Sequence, residues 1–212
     1  LLVRSATTAR AALIDACPNL KLIGRGGVGM DNIDVSYARE KGITVINTPA
    51  SSSQSVAELV MGHLFAISRF LHDSFKHMEN ADFSTLKKNY GKGVELRGKT
   101  IGILGFGRIG QSLASYALGA GMNVVPITHT EKEYEIPVLI GNGTQVMVKL
   151  QSATMCNETL GLLDYLSIHV PKQANGSAVI GSTEFSAMKR GIRLVNAARG
   201  GVIDEQALLD AL

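Results

Sequence analysis

The sequence predicts an α/β protein built on parallel sheets. Short apolar runs, typical of buried strands, alternate with helix-like segments along most of the 212 residues. A glycine-rich turn, Gly105–Gly110, joins one of these strands to the helix that follows it. Residues 1–48 show the same alternation but are too few to bury a full core of their own. We therefore predict one nearly complete α/β domain and part of a second.

The first 48 residues are expected to form a small parallel sheet with two crossover helices. A second glycine-rich turn, Arg25–Gly29, follows the middle strand. A serine-rich linker is predicted at Ala50–Ser55. Strands are expected at Leu1–Val3, Leu20–Gly24 and Ile43–Ile46, and helices at Ala11–Ala16 and Ser36–Lys41.

One long helix is predicted over residues 55–78. Apolar side chains recur at helical spacing from Val56 to Met78, and Met61, Phe65 and Phe70 add a second apolar face. A helix that is apolar on two faces is buried on both, so we predict that it packs on its own domain and on a second copy of the chain in a homodimer. Burial in the core alone remains the alternative.

The stretch Ile101–Ile127 has the pattern of a dinucleotide-binding unit. A strand at Ile101–Leu104 precedes three glycines spaced G-x-G-x-x-G, a helix follows to about Ala120, and a second strand ends at Ile127. In such a unit the glycines allow a tight turn and close approach of the backbone to a pyrophosphate, which lies at the N-terminus of the helix. Neither the lysine ending of a P-loop nor the motifs of protein kinases accompany these glycines. The three glycines are Gly105, Gly107 and Gly110. The unit predicts a Rossmann-like, doubly wound sheet.

The remaining segments are predicted to complete this sheet. A lysine-rich polar connection, Ala81–Arg97, leads into the dinucleotide unit. Gly141–Gly143 indicates a small hairpin or irregular insertion between two apolar runs. Ser182 and Asp204 are expected to cap helices. The further elements are a weakly marked helix at Ser152–Leu163, a strand at Tyr165–Pro171, a helix at Thr183–Lys189, a strand at Ile192–Asn196 and a last helix from Asp204.

Composition and charge exclude several classes of function. A net charge of +3 without a basic block gives no support for nucleic-acid binding, and no apolar run is long enough to span a membrane. Cys17 and Cys156 lack metal-ligand spacing and are expected to be buried thiols rather than a disulfide, as in a cytoplasmic protein. No metal site is predicted.

The choice between NAD and NADP depends on the end of the second strand of the dinucleotide unit. Domains of this kind that bind NAD carry an acid there, which bonds the ribose hydroxyls. This sequence has Thr128 instead, followed by His129 and Thr130. A threonine cannot accept two charge-assisted hydrogen bonds, so it should reject a 2′-phosphate less strongly. We predict NAD as the cofactor and leave NADP open.

Several of these stretches together resemble the D-isomer-specific 2-hydroxyacid dehydrogenases. They occur in the order typical of that family and span nearly the whole chain. The Arg4–Ser5 pair narrows the resemblance to the branch that acts on D-3-phosphoglycerate. The matching stretches are Val3–Thr7, Gly24–Gly29, Asp31–Asp34, Asn47–Pro49, Ser55–Leu59, Gly105–Gly110, His169–Pro171 and Val195–Gly201.

The resemblance implies a flavodoxin-like substrate-binding domain, partial here, at 1–48 and an NAD-binding domain, incomplete at its C-terminus, at 49–212, with a cleft between them. It also implies that Arg199 holds the carboxylate and carbonyl of a 2-oxo or 2-hydroxy acid, for which a planar, permanently charged guanidinium is suited. The other implied contacts are Gly27 and Val28 with the substrate carboxylate, Arg4 and Ser5 with its phosphate, Arg108 and Ile109 with the pyrophosphate, Thr128 with the adenosine ribose, Val170 and Pro171 with the adenine, and Ala197 with the nicotinamide.

In this family a histidine paired with a glutamate removes the hydroxyl proton as hydride leaves the substrate. The resemblance places both residues after Leu212, and it places the first strands of the substrate domain before Leu1. His169 belongs to the cofactor side and is expected to be structural. We therefore expect the chain to be truncated at both ends and to turn over no substrate by itself.

Three activities fit the resemblance. The first is oxidation of D-3-phosphoglycerate to 3-phosphohydroxypyruvate with NAD, which begins serine biosynthesis. The second is reduction of glyoxylate or hydroxypyruvate, or the action of another D-2-hydroxyacid dehydrogenase, on a substrate without phosphate. The third is an NAD(H)-dependent interaction module like the C-terminal-binding-protein corepressors. The substrate site, rather than the fold, decides among them.

Overall fold

The computed structural model describes residues 1–79 and 82–212, which form two compact units, Leu1–Gln54 and Ser55–Leu212. The first unit holds a three-stranded parallel sheet in the order β1-β2-β3. Its core is apolar and includes Ile14 and Ile23. The strands are β1 Leu2–Val3, β2 Leu22–Arg25 and β3 Thr44–Asn47, and the helices are α1 Ala11–Asp15 and α2 Val35–Glu40. The predicted parallel arrangement of this segment is confirmed.

The second unit holds a four-stranded parallel sheet in the order β5-β4-β8-β9. Its strands are β4 Thr100–Leu104, β5 Asn123–Ile127, β8 Tyr165–Ile168 and β9 Arg193–Asn196. An antiparallel pair, β6 Glu133–Leu139 and β7 Gln145–Gln151, lies between β5 and β8 in the chain. The helices are α3 Ser53–Arg69, α4 Leu71–His77, α5 Phe83–Tyr90, α6 Arg108–Gly119, α7 Asn157–Leu162, α8 Ser182–Ala187 and α9 Glu205–Ala211.

Apolar side chains cover the second sheet on both faces, so the predicted doubly wound arrangement is confirmed. On one face Ile101 and Ile103 of β4 pack with α3 and α6. On the other face Leu166 and Ile168 of β8 pack with Leu160 of α7. The alternation along β4 and β8 follows from the two-residue period of a strand.

The predicted single helix over 55–78 is wrong at Phe70. Two helices, α3 and α4, occupy this stretch, and Phe70 between them has a φ of 55°, in the left-handed region. A residue in that conformation ends the helical hydrogen-bond pattern. The apolar periodicity continues through Phe70, so the pattern alone does not indicate the break.

Smaller differences concern ends and connections. Gly181, not Ser182, is the N-cap residue of α8, and its N–H donates to the Glu184 carboxylate at 2.8 Å. Within the predicted connection 81–97, α5 occupies Phe83–Tyr90, while Ala81 lies outside the described residues. Both cysteines are free thiols, but neither is fully buried as expected, since Cys17 is exposed and Cys156 is half-buried. The hairpin and the cap at Asp204 are confirmed.

Candidate functional site

The turn after β4 needs glycine at two positions for different reasons. Gly105 has a φ of 92°, and a Cβ there would lie 2.8 Å from the carbonyl carbon and oxygen of His169. A Cβ on Gly110 would lie 2.5 Å from the carbonyl oxygen of Gly105. The first glycine therefore permits the turn, and the third lets α6 approach it closely.

The N-terminus of α6 opens directly from this turn. Gly107 is the N-cap residue and supplies no side-chain hydrogen bond to the first turn, which contains Arg108 and Ile109. Over its twelve residues, α6 directs aligned peptide dipoles and N–H groups of its first turn toward this end. These donors could hold an anion such as a pyrophosphate.

A cavity of about 680 Å³ lies beside the turn, at the carboxyl ends of β4, β5 and β8. Four residues that the sequence predicted for the cofactor line it: Gly105, Thr128, Val170 and Pro171. The carboxyl ends of parallel strands are where open α/β sheets bind ligands. The predicted Gly107, Arg108, Ile109 and Gly110 do not line the cavity but form the adjoining start of α6.

Thr128 is held by side chains and backbone around the base of the β6–β7 hairpin. Its Oγ1 lies 2.9 Å from the carbonyl oxygen of Thr130 and 3.0 Å from Oγ of Ser152. The Thr128 N–H donates to the carbonyl of Ala153, and Ala153, just after the hairpin, forms a parallel bridge with Ile127 at the end of β5. The hydroxyl is therefore engaged within the protein.

His169 follows β8 directly, and its contacts lie within the second unit. The backbone N–H of His169 donates to the Leu104 carbonyl at 2.7 Å, and Nε2 of its ring lies 2.8 Å from Oγ of the buried Ser167. Among the described residues, Nδ1 of His169 is buried without a hydrogen-bond partner. Burial lowers the pKa of this imidazole from 6.5 to about 4, so it is neutral at pH 7.

Ala197 and Arg199 lie on the turn that follows β9, outside the cavity. Asn196 holds this turn, because its Nδ2 donates to the Arg199 carbonyl and its Oδ1 accepts from the Ala198 N–H. The exposed Arg199 side chain donates from Nη1 to the Ala198 carbonyl at 2.8 Å.

The first unit has a cavity of its own, of about 370 Å³, at the carboxyl ends of β1, β2 and β3. Arg4 and Arg25 both line it. Nε of Arg25 donates to Oδ1 of Asn32 at 3.0 Å, and its Nη2 lies 3.4 Å from Oγ of Ser5. Asn32 in turn donates to the carbonyl of Arg4 at 2.8 Å. These contacts bring two guanidinium-bearing residues and Ser5 together.

Arg25 is a residue that the sequence analysis missed as a candidate. The sequence pattern places Arg25 within the glycine-rich turn, although its position as the last residue of β2 puts it at the ligand edge of the sheet. Of the predicted backbone donors, the Gly27 N–H already donates to Oγ1 of Thr48 at 2.8 Å. The carbonyl of Val28 accepts from Nδ2 of Asn47 at 2.7 Å.

Other kinds of site find no support in residues 1–79 and 82–212. This part of the chain contains no group of three or more histidine, cysteine, aspartate or glutamate side chains placed to hold a metal ion. None of its helices combines the length and the apolar character that crossing a membrane requires.

Comparison with known proteins agrees with the geometry. Residues 61–212 match the family model of the D-isomer specific 2-hydroxyacid dehydrogenase, NAD binding domain. A hydroxypyruvate reductase of Thermotoga maritima is 41% identical over 210 residues, which is 99% of this chain and 63% of that protein. A D-3-phosphoglycerate dehydrogenase of Methanocaldococcus jannaschii is 39% identical over 212 residues, 100% of this chain and 38% of that protein. The chain thus spans less than two thirds of the length of either relative.

A solved structure extends the similarity to the fold. The crystal structure of the TT0316 protein from Thermus thermophilus superposes with a TM-score of 0.82 at 31% identity, over 100% of this chain and 63% of that one.

Proposed function

The chain belongs to the D-isomer specific 2-hydroxyacid dehydrogenase family, whose NAD-binding domain it contains, and we propose that it comes from an enzyme that oxidises D-3-phosphoglycerate to 3-phosphohydroxypyruvate. In that role it would begin serine biosynthesis. The observation that carries this proposal is the pairing of Arg4 and Arg25 at one cavity of the first unit.

The two arginines suit a phosphate rather than an uncharged substrate end. A guanidinium presents planar donors and stays charged at every physiological pH, and two of them match the dianionic charge of a phosphate monoester. The contact of Arg25 with Asn32 fixes the direction of its side chain, so little side-chain entropy is lost when an anion binds. Ser5 adds a hydroxyl beside Arg25.

The second unit supplies the proposed cofactor contacts. The start of α6, with Arg108 and Ile109, binds the pyrophosphate, and the backbone at Gly107 is open to it because no heavy atom lies within 4 Å of a Cβ added there. Thr128 meets the adenosine ribose. The remaining proposed contacts are Val170 and Pro171 with the adenine and Ala197 with the nicotinamide. Bound NAD would accept the hydride released from C2 of the substrate.

Arg199 is the proposed ligand of the reacting end of the substrate. To do so, its guanidinium would exchange its bond to the Ala198 carbonyl for the substrate carboxylate. That exchange favours binding, because a carboxylate offers the planar guanidinium two oxygens and a full negative charge, whereas the carbonyl offers one neutral acceptor. The Gly27 N–H would likewise exchange Thr48 for the carboxylate.

Replacing Arg4 by alanine tests the substrate assignment. Loss of one charge-assisted contact should weaken binding of D-3-phosphoglycerate at least about tenfold. Binding of D-glycerate, which lacks the phosphate, should change less than about twofold. Isothermal titration with both ligands measures the two values. Arg39→Ala, at an exposed arginine of α2, is the matched control and should change neither. Equal losses for both ligands in Arg4→Ala would contradict the proposal.

Reduction of hydroxypyruvate is the second candidate. The similarity to the hydroxypyruvate reductase of Thermotoga maritima favours it. A protein of this kind would bind the phosphorylated and unphosphorylated acids alike, so the same titrations separate the two functions.

We also propose that the protein is a homodimer. Three large apolar side chains on or next to α4, Leu71, Phe75 and Met78, are exposed at 52%, 85% and 68%. Apolar side chains grouped at this exposure are typical of surfaces that a partner covers.

A further inference from the structure

The end of β5 is where dinucleotide-binding domains distinguish NAD from NADP. A carboxylate there accepts both ribose hydroxyls and repels a 2′-phosphate. Here the position is held by Thr128, which lines the cavity proposed above for the cofactor. The present inference rests on that proposed cofactor site.

Thr128 cannot take over the part of a carboxylate, because its hydroxyl carries one proton and is engaged within the protein. The carbonyl of Thr130 and Oγ of Ser152 lie 2.9 and 3.0 Å from it. Oγ of Ser152 is itself fixed by the backbone of Lys132, whose N–H lies 2.9 Å away and whose carbonyl lies 3.0 Å away. The hydrogen-bonded group around Thr128 therefore offers no carboxylate to bind the hydroxyls of an unphosphorylated ribose, and it carries no negative charge that would repel a phosphate.

The charged groups around the cavity favour an additional phosphate. Of the described residues that line it, the titratable ones are His129 and Lys172, and none is an aspartate or glutamate. Of the first two acids that follow β5 in the chain, neither Glu131 nor Glu133 lines the cavity, and Glu133 accepts from Nζ of Lys149 at 2.9 Å across the hairpin. A phosphate in this cavity would therefore meet a positive side chain and no opposing carboxylate among the lining residues.

We propose that this cavity binds NADP(H) as well as NAD(H), and that Thr128 is the residue that permits it. The ligand class is a dinucleotide phosphorylated at the adenosine 2′ position. The dissociation constants of NADPH and NADH should lie within about tenfold of each other.

Titrating the unmodified chain with NADH and with NADPH tests the proposal, and the nicotinamide fluorescence reports binding. The sequence contains no tryptophan that would add to this signal. In Thr128→Asp the new carboxylate should weaken NADPH at least about thirtyfold relative to NADH, because it repels the 2′-phosphate at close range. Thr128→Asn is the matched control, because asparagine has nearly the shape of aspartate without its charge. The ratio of the NADPH and NADH dissociation constants should stay within about threefold of that of the unmodified chain.

A second variant keeps the test decisive if Thr128→Asp fails to fold. His129→Glu changes an exposed side chain of the same cavity and should also weaken NADPH relative to NADH. The proposal is overturned if the unmodified chain binds NADPH more than about a hundredfold more weakly than NADH, or if neither acidic variant changes the ratio. Failure of the proposed function gives a different result, since then neither nucleotide binds at all.

Discussion

The two units each carry a glycine-rich turn after a parallel strand, but the turns are built to different ends. In the second unit, the turn after β4 leads directly into α6, whose N-terminus has no side-chain cap. In the first unit, the turn after β2 is followed by α2 only at Val35, and the Asp34 carboxylate caps that helix by accepting from the Tyr37 N–H at 3.1 Å.

The difference shows that the glycines mark a close approach of the backbone, while the segment after them determines which groups would be offered to an anion. Backbone N–H groups are available in the second unit, whereas the first unit presents the side chains of Arg4 and Arg25. The supports differ as well. The backbone of His169 lies against Gly105, whereas the carboxamide of Asn32 holds Arg25 and the Arg4 carbonyl.

The largest expected effect comes from filling the space between α6 and its turn. Gly110→Ala would put a methyl group 2.5 Å from the Gly105 carbonyl oxygen, and backbone rather than a flexible side chain would have to move. We expect NADH affinity to fall about a hundredfold, or roughly 2.7 kcal/mol. Fluorescence titration measures this loss.

Gly119→Ala, in the same helix, is the control for this substitution. No atom lies within 4 Å of the added methyl group, so it should stabilise the chain by about 0.5–1 kcal/mol and leave NADH affinity unchanged. If Gly110→Ala bound NADH as the unmodified chain does, the backbone would not be the anion-binding group of the second unit.

The second prediction uses pH to distinguish the second unit, where His169 lies against Gly105, from the first unit, where Asn32 holds Arg25. The unfolded state binds a proton at His169 near pH 6.5 and the folded state only near pH 4, so the stability that His169 contributes above pH 6.5 is lost as the pH falls through this range. At pH 4.5 the loss should be about 2–3 kcal/mol relative to pH 7. Urea unfolding of the unmodified chain and of His169→Gln at both pH values measures it.

His169→Gln should show a smaller loss between pH 7 and 4.5 than the unmodified chain does. His72→Gln, at an exposed histidine of α4, serves as control and should show the full loss. An identical pH dependence in all three proteins would mean that the imidazole does not resist protonation in the folded state. The Asn32 contacts in the first unit involve no histidine or carboxylate, so the protection factors of the amides there, which are corrected for the pH dependence of intrinsic exchange, should not follow this trend.

The smallest of the three effects concerns the guanidinium in the first unit. Arg25→Met keeps most of the length of the side chain but removes its charge and donors, and should weaken binding of D-3-phosphoglycerate roughly tenfold. Arg25→Lys keeps the charge without the planar pair of donors, so its affinity for D-3-phosphoglycerate should lie between those of the unmodified chain and Arg25→Met. Calorimetric titration distinguishes them. An unchanged affinity in Arg25→Met would remove Arg25 from the proposed phosphate site.

Much of the fold could be predicted from the sequence, because the strands of both parallel sheets are short apolar runs and the glycines mark the turns. The predicted helix Arg108–Ala120 and strand Asn123–Ile127 agree with α6 and β5 to within a residue. The break at Phe70 could not be predicted, since a phenylalanine rarely adopts a left-handed conformation and nothing in the local sequence favours it.

The candidate site was predicted in part. The glycine motif predicts Gly105 as a cofactor contact, the family resemblance implies Thr128, Val170 and Pro171, and all four line one cavity. Arg25 was missed because the Asn32 side chain that directs it comes seven residues later in the chain, and only folding brings the two together. For the same reason the sequence did not reveal that Thr48 engages the Gly27 N–H.

The β6–β7 hairpin provides a site for attaching a label to this protein. Its tip, Gly141–Gly143, is exposed, and no heavy atom lies within 4 Å of a Cβ added at either glycine. At the base of the same hairpin, Oγ of Ser152 accepts from the Lys132 N–H and lies 3.0 Å from Oγ1 of Thr128 beside the cavity. Exposed loop tips accept inserted sequences with little disturbance. A dye attached or a reporter protein inserted at Asn142 would therefore be connected through two strands to the cavity proposed for the cofactor, and a signal from the hairpin tip would report binding there.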